Sequence, residues 1–113
     1  MANEIGKIFA VDFDGVIVTD EYPNIGNPNK HAIDKLKIFK EHGDIIILWT
    51  CRVGEKLEEA IEWCKKNGIE FDYVNENVPY YVNLYGSDSR KIFADYYIDD
   101  KNASFVEKPE IFI

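Results

Sequence analysis

The stretch Lys7-Ile8-Phe9-Ala10-Val11-Asp12-Phe13-Asp14-Gly15-Val16-Ile17-Val18 decides the fold. Its first half is an unbroken apolar run rich in β-branched and aromatic side chains, the pattern of a strand covered on both faces rather than one. A first strand is predicted over 7–13. After a turn-rich stretch over 14–27, Pro28 can serve as a first helical residue with Asn27 as its N-cap, and Ala32, Ile33, Leu36 and Phe39 recur at helical spacing until Gly43. A second apolar strand over 45–49 ends at Thr50. A second helix over 55–67 shows Leu57, Ala60, Ile61 and Cys64 on one face, acids in its first turns, Lys65 and Lys66 in its last, and Gly68 as terminator. Residues 71–74 and 96–98 read as two further strands, and 110–113 as a short edge strand. Between them, 75–90 holds Pro79, Gly86, Tyr80, Tyr81 and Tyr85 and reads as a long loop with room for one helical turn. Strand, helix, strand, helix, strand implies right-handed crossovers, hence an α/β fold: a doubly wound, Rossmann-like, mostly parallel sheet in three layers, with ligands beyond the carboxyl ends of the strands.

The chain has 113 residues, which suits a single domain spanning 1–113. With 46% hydrophobic and 30% charged residues its composition is that of an ordinary globular domain. Acids outnumber bases 21 to 13, for a net charge of −8. That balance argues against nucleic-acid and anionic-membrane partners, both of which bind through basic surfaces. The longest strongly apolar run, 45–49, falls far short of the roughly 20 residues of a membrane span. The residues at 1–4 carry neither the basic start nor the apolar stretch of a signal peptide. Two cysteines, Cys51 and Cys64, make neither a disulfide framework nor a metal cluster. Together these features predict a cytoplasmic protein with reduced thiols.

Several polar residues stand at strand ends where the strand pattern does not require them: Asp12 and Asp14, then Thr50, then Asp99 with Asp100. A doubly wound sheet brings these ends to one edge. Carboxylates gathered there repel one another unless a cation intervenes, and an all-oxygen set suits Mg²⁺, which shares its shell among carboxylates, water and a phosphate. Lys91 adds a positive charge able to hold a phosphate oxygen, and Gly15 lets the backbone approach an anion. Taken singly, each has a plainer reading: Asp-x-Asp and Asp99-Asp100 as turn acids, Thr50 as a cap, Lys91 as a solvated charge. Their order at successive strand ends is what singles them out.

In these residues the chain resembles the haloacid dehalogenase (HAD) superfamily. Asp12-Phe13-Asp14-Gly15-Val16-Ile17-Val18 is similar to its first signature, Ile47-Leu48-Trp49-Thr50 to its second, and the segment from Lys91 to Asp100 to its third and fourth fused. More closely, the neighbourhoods of Tyr22-Pro23, Trp49-Thr50-Cys51-Arg52 and Glu62-Trp63-Cys64 are similar to small bacterial and phage HAD-like hydrolases of unassigned substrate. The resemblance implies a Mg²⁺-dependent phosphatase in which Asp12 attacks phosphorus to form an aspartyl-phosphate. Asp14 then protonates the leaving oxygen and later activates water. Mg²⁺ is implied at the Asp12 carboxylate, the Asp14 backbone carbonyl and Asp99 or Asp100, the family's Gly-Asp form pointing to Asp100. Thr50, Lys91 and the amides from Phe13 to Gly15 are implied to hold phosphate oxygens. Because family dehalogenases lack the second Asp, Asp14 favours phosphoryl transfer over carbon–halogen cleavage.

No stretch has room for an inserted cap domain, so the chain is expected to be capless; the resemblance implies either large substrates or a lid borrowed from a second copy in a homo-oligomer, and a small phosphorylated metabolite is the expected substrate. Tyr22, Cys51, Arg52, Tyr80, Tyr81 and Tyr85 are expected to rim the site, and Arg52 either grips a second anionic group of the substrate or pairs with an acid of the second helix. The tyrosines equally suit a dimer surface. His31 and His42 fall away from the site, and Cys51 has no His placed to activate it. A receiver-like signalling module shares the parts list, but needs its phosphorylated Asp on the third strand, where this chain has Asn75. A catalytically idle metal-binding or interaction domain is the remaining alternative.

Overall fold

Strand β1 (Ile8–Val11) lies between β2 (Ile45–Leu48) and β4 (Tyr96–Ile98), with β3 (Tyr73–Val74) outside β2, in the all-parallel order β3-β2-β1-β4. Helices α1 (Lys30–Glu41) and α2 (Gly54–Lys66) are the crossovers on the β2 side. The computed structural model describes residues 6–76, 78, 79, 82 and 94–99. Lys91, Asp100, Tyr80, Tyr81, Tyr85, the expected edge strand over 110–113 and the segment 1–4 lie outside the described residues.

Every residue of β1 is buried, and the two-residue period of a strand divides them between two cores. Phe9 and Val11 pack with Ala32, Leu36, Phe39, Ala60 and Cys64 of the helices. Ile8 and Ala10 pack with Ile47, Val78 and Ala94. This two-sided burial is why β1 shows no polar alternation. On the helix side the rings of Phe9 and Phe39 stack with centroids 4.0 Å apart. Each core has one tryptophan at its margin: Trp63 lies edge-on to Phe13, and Trp49 is tilted against Tyr97. Among the described residues no helix is long and apolar enough to cross a membrane.

The elements fall where periodicity puts them, with shifts at their ends. Helix α1 is capped by Asn29, not Asn27: the Asn29 side chain accepts from the Ala32 amide at 3.3 Å and donates to the Val16 carbonyl at 2.9 Å. Pro28 does not open the helix, because it pairs with Val18 in an extended bridge, while the Asn27 amide donates to Thr19 Oγ1. Gly43 and Gly68 end the helices in the left-handed region, at φ +85° and +84°. On α2 only Ala60 and Cys64 are fully buried, while Leu57 and Ile61 are partly so, next to Trp63. In the segment 75–90, Val82 donates to the Val78 carbonyl, the turn of helix for which the sequence left room.

At the amino ends of the strands, three aspartates do purely structural work. Asp44, Asp72 and Asp95 each stand one residue before a strand. Their carboxylates accept from the amides of Lys7 (2.9 Å), Ile46 (2.8 Å) and Ile8 (2.7 Å) respectively. Asp72 and Asp95 also donate their own amides back to the carbonyls of Ile46 and Ile8. Asp72 further receives Lys40 Nζ at 2.8 Å. These clasps satisfy strand amides that no neighbouring strand reaches.

Replacing Asp72 by Ala should cost about 2 kcal/mol in urea unfolding by stranding the Ile46 amide, while Asp72→Asn, which keeps an acceptor, should lose clearly less. Burial pushes the Cys64 thiol up from 9.0 to about 12. Cys51 is exposed, so the native chain should offer one thiol to Ellman's reagent at pH 8 and a second only in denaturant. Since folding raises that pKa, its stabilising contribution is complete below pH 9 and is lost as pH rises toward about 12.

Candidate active site

The ladder between β1 and β4 continues one step past Ile98, where the Asp12 amide donates to the Ile98 carbonyl at 2.8 Å. Asp12 and Asp99 therefore follow paired residues on adjacent strands, at the point where the winding of the sheet reverses. The chain then closes a tight turn around one oxygen: the Phe13 carbonyl accepts from the amides of Val16, Ile17 and Val18 at 3.3, 3.0 and 3.2 Å. Gly15 takes φ +89° inside that turn, a conformation that a side chain disfavours. Val16, Ile17 and Val18 are buried and anchor the turn to the core.

Two of the amides expected to hold phosphate are engaged within the chain itself. Phe13 donates to Asp12 Oδ1 at 2.7 Å and Gly15 to the Val18 carbonyl at 2.8 Å. At the end of β2, Thr50 Oγ1 accepts from the Arg52 amide at 3.2 Å, and the Thr50 amide donates to Asn75 Oδ1 at 2.8 Å. Asn75, at φ +53° just past β3, thus fixes the loop that carries Thr50. Asn tolerates that conformation better than most residues, a signal the sequence offered and the motif reading passed over.

The residue that organises the site is Arg52, and both expectations for it are corrected. It neither faces outward to grip a second anion nor pairs with an acid of α2. Its side chain is 1% exposed and meets Asp14. Nε donates to Asp14 Oδ2 and Nη2 to Asp14 Oδ1, each at 2.7 Å. The remaining donors reach backbone carbonyls: Nη2 that of Asn24 at 2.9 Å, Nη1 those of Pro23 at 3.4 Å and Lys56 at 3.3 Å. A guanidinium has five N–H donors, so all are used and none is left for a ligand. It also lies over two aromatic rings, its carbon 5.1 Å from the Phe13 centroid and 5.0 Å from that of Tyr22. The hydrogen bonds to Asp14 raise the Arg52 pKa above its ordinary value, although burial acts the other way.

Asp12, Asp14, Asp20, Tyr22, Cys51 and Arg52 line one cleft of about 300 Å³. Asp20 is the lining residue that the motif reading did not single out. Part of the charge of the converging acids is met by the chain's own Arg52. Among the described residues no three Asp, Glu, His or Cys side chains gather as a metal-holding group. Asp12 and Asp14 stand at one strand end and Asp99 at the next, across the winding reversal.

Scanned against protein-family models and against curated proteins, the chain matches none. Among solved structures it is similar to a conserved protein coded by a locus of Bacteroides thetaiotaomicron, at 37% identity and a TM-score of 0.78, over 95% of this chain and 94% of that one. The likeness establishes a shared parallel α/β fold.

Removing the guanidinium strands the Asp14 carboxylate together with three carbonyls. Arg52→Met should therefore lose about 3–5 kcal/mol in chemical unfolding, and Arg52→Lys, which keeps the charge without the fork, should fall between it and the native chain. A loss under about 1 kcal/mol in Arg52→Met would show that the pair does not hold the site together.

Proposed function

The chain belongs to the same family as that conserved Bacteroides thetaiotaomicron protein, and we propose that it is a Mg²⁺-dependent phosphomonoesterase of HAD type, working through Asp12 on a small phosphorylated molecule. The observation that carries the reading is the place of Asp12: it stands at the carboxyl end of the central strand, at the winding reversal beside Asp99, with Asp14 two residues on and Thr50 just past the end of β2. That is where an open parallel sheet binds ligands, and the order of these residues supports the resemblance to the superfamily.

In the proposed reaction an Asp12 oxygen forms a bond to phosphorus while the bond from phosphorus to the ester oxygen breaks. The departing oxygen takes a proton from Asp14, which must enter this step protonated, with one of the two oxygens now held by Arg52 released and the other still accepting from it. Water then gives a proton back to Asp14 and its oxygen to phosphorus, releasing inorganic phosphate and restoring the Asp12 carboxylate. The Thr50 hydroxyl, whose oxygen already accepts from Arg52, keeps its proton to donate to a phosphate oxygen. Mg²⁺, when bound by Asp12, the Asp14 carbonyl and Asp99 or Asp100, would screen nucleophile from phosphate and offset the charge of the transferring group.

A second reading, a catalytically idle fold, is favoured by one observation: both Asp14 oxygens are taken by Arg52. A receiver-like module is disfavoured, because the position that would carry its phosphorylated Asp is Asn75, whose side chain holds the Thr50 amide. Hydrolysis of p-nitrophenyl phosphate with Mg²⁺ and with EDTA separates the readings. Turnover should require Mg²⁺ and fall by about a thousandfold or more in Asp12→Asn. Equal phosphate release by the native chain and Asp12→Asn would remove Asp12 as nucleophile, and absence of turnover with every phosphomonoester tried would favour the idle fold.

A further inference from the structure

Tyr22 is 56% exposed, an unusual place for a large ring that the fold does not bury. It is nonetheless held. A run of touching groups leads out of the core: Trp63 lies edge-on to Phe13 at 5.9 Å, Phe13 lies against Arg52, and Arg52 lies against Tyr22. Arg52 cannot easily shift, since each of its donors has an acceptor, two of them carbonyls of Pro23 and Asn24 in the same loop as Tyr22. The ring thus has support on Arg52 before any ligand arrives, which lowers the entropy to be lost when something stacks on it. It also opens onto the cleft that contains Asp12 and Asp14.

The charge of that cleft narrows what can stack. Among the described residues its lining has three aspartates and one cation, Arg52, which has no donor to spare. A second anionic group placed against this lining would meet carboxylates, and no described residue there offers it a free cation. A planar, uncharged ring meets an aromatic face already in position.

We propose that Tyr22 is the specificity-determining residue of the site, a platform for the planar, uncharged aromatic group of a phosphomonoester whose phosphate lies at Asp12. This rests on the phosphohydrolase reading above and adds the class of alcohol to it. The test uses the full chain with Mg²⁺ and compares benzyl phosphate with cyclohexylmethyl phosphate, which has the same reach without a planar ring, and with methyl phosphate. The native chain should show a KM for benzyl phosphate about tenfold below that for the cyclohexylmethyl ester. Tyr22→Ala should raise the benzyl KM about tenfold more than the methyl KM, with little change in the ratio of kcat values, and Tyr22→Phe should restore the native preference. Equal KM changes for all three esters in Tyr22→Ala would reduce Tyr22 to a prop for Arg52 and overturn the proposal, as would a native chain indifferent to planarity. Those failures leave phosphatase turnover intact, whereas failure to hydrolyse any of the esters would overturn the phosphohydrolase reading and this proposal with it.

Discussion

The bidentate contact between Arg52 and Asp14 ties together more of the molecule than any other contact at the site. Through one guanidinium, the turn after β1, the loop containing Pro23 and Asn24, the approach to α2 and the first turn of that helix are held in one arrangement. A buried cation is tolerable only if its charge is matched and its donors are satisfied, and here both conditions are met. The same contact sets the chemistry available: it holds Asp14 at the cleft, withdraws Arg52 from the list of ligand-binding groups, and gives Tyr22 a rigid support.

The sheet was legible because its signals are local and strong. An apolar run such as Ile8–Val11 has few alternatives to a doubly covered strand, and glycines at 43 and 68 have a conformational reason to end helices. Strand β4 was legible to the residue, and α1 on all of its core positions, Ala32, Ile33, Leu36 and Phe39. What escaped was set by contacts between distant segments. Asn29 rather than Asn27 caps α1 because Val18 claims Pro28, ten residues away in sequence. Arg52 reads from the sequence as a substrate grip or the partner of an acid of α2, because its actual partner lies 38 residues back, and neither local pattern nor propensity carries that pairing.

Charge illustrates the same limit in another way. Asp44, Asp72 and Asp95 occupy the amino edge of the sheet and bind amides of the chain, while Asp12, Asp14 and Asp99 occupy the carboxyl edge. Position relative to a strand distinguishes them. An Asp just before a strand points its carboxylate at an unclaimed amide of the neighbouring strand, whereas an Asp just after one stands where the parallel sheet opens. Counting acids cannot separate the two groups, and a net charge of −8 is the sum of structural clasps, a balanced site pair and a solvated surface.

The placement of the two tryptophans gives the protein a built-in pair of optical reporters. Trp63 sits with the helix-side core and touches Phe13, the inner end of the run that leads to Tyr22. Trp49 sits with the opposite core, against Tyr97 of β4. Since the chain has no other tryptophan, each of two single-tryptophan variants would make fluorescence a local signal, one for each face of the sheet. Whether the two cores separate on unfolding or yield as one cooperative unit can then be read without attaching any foreign dye.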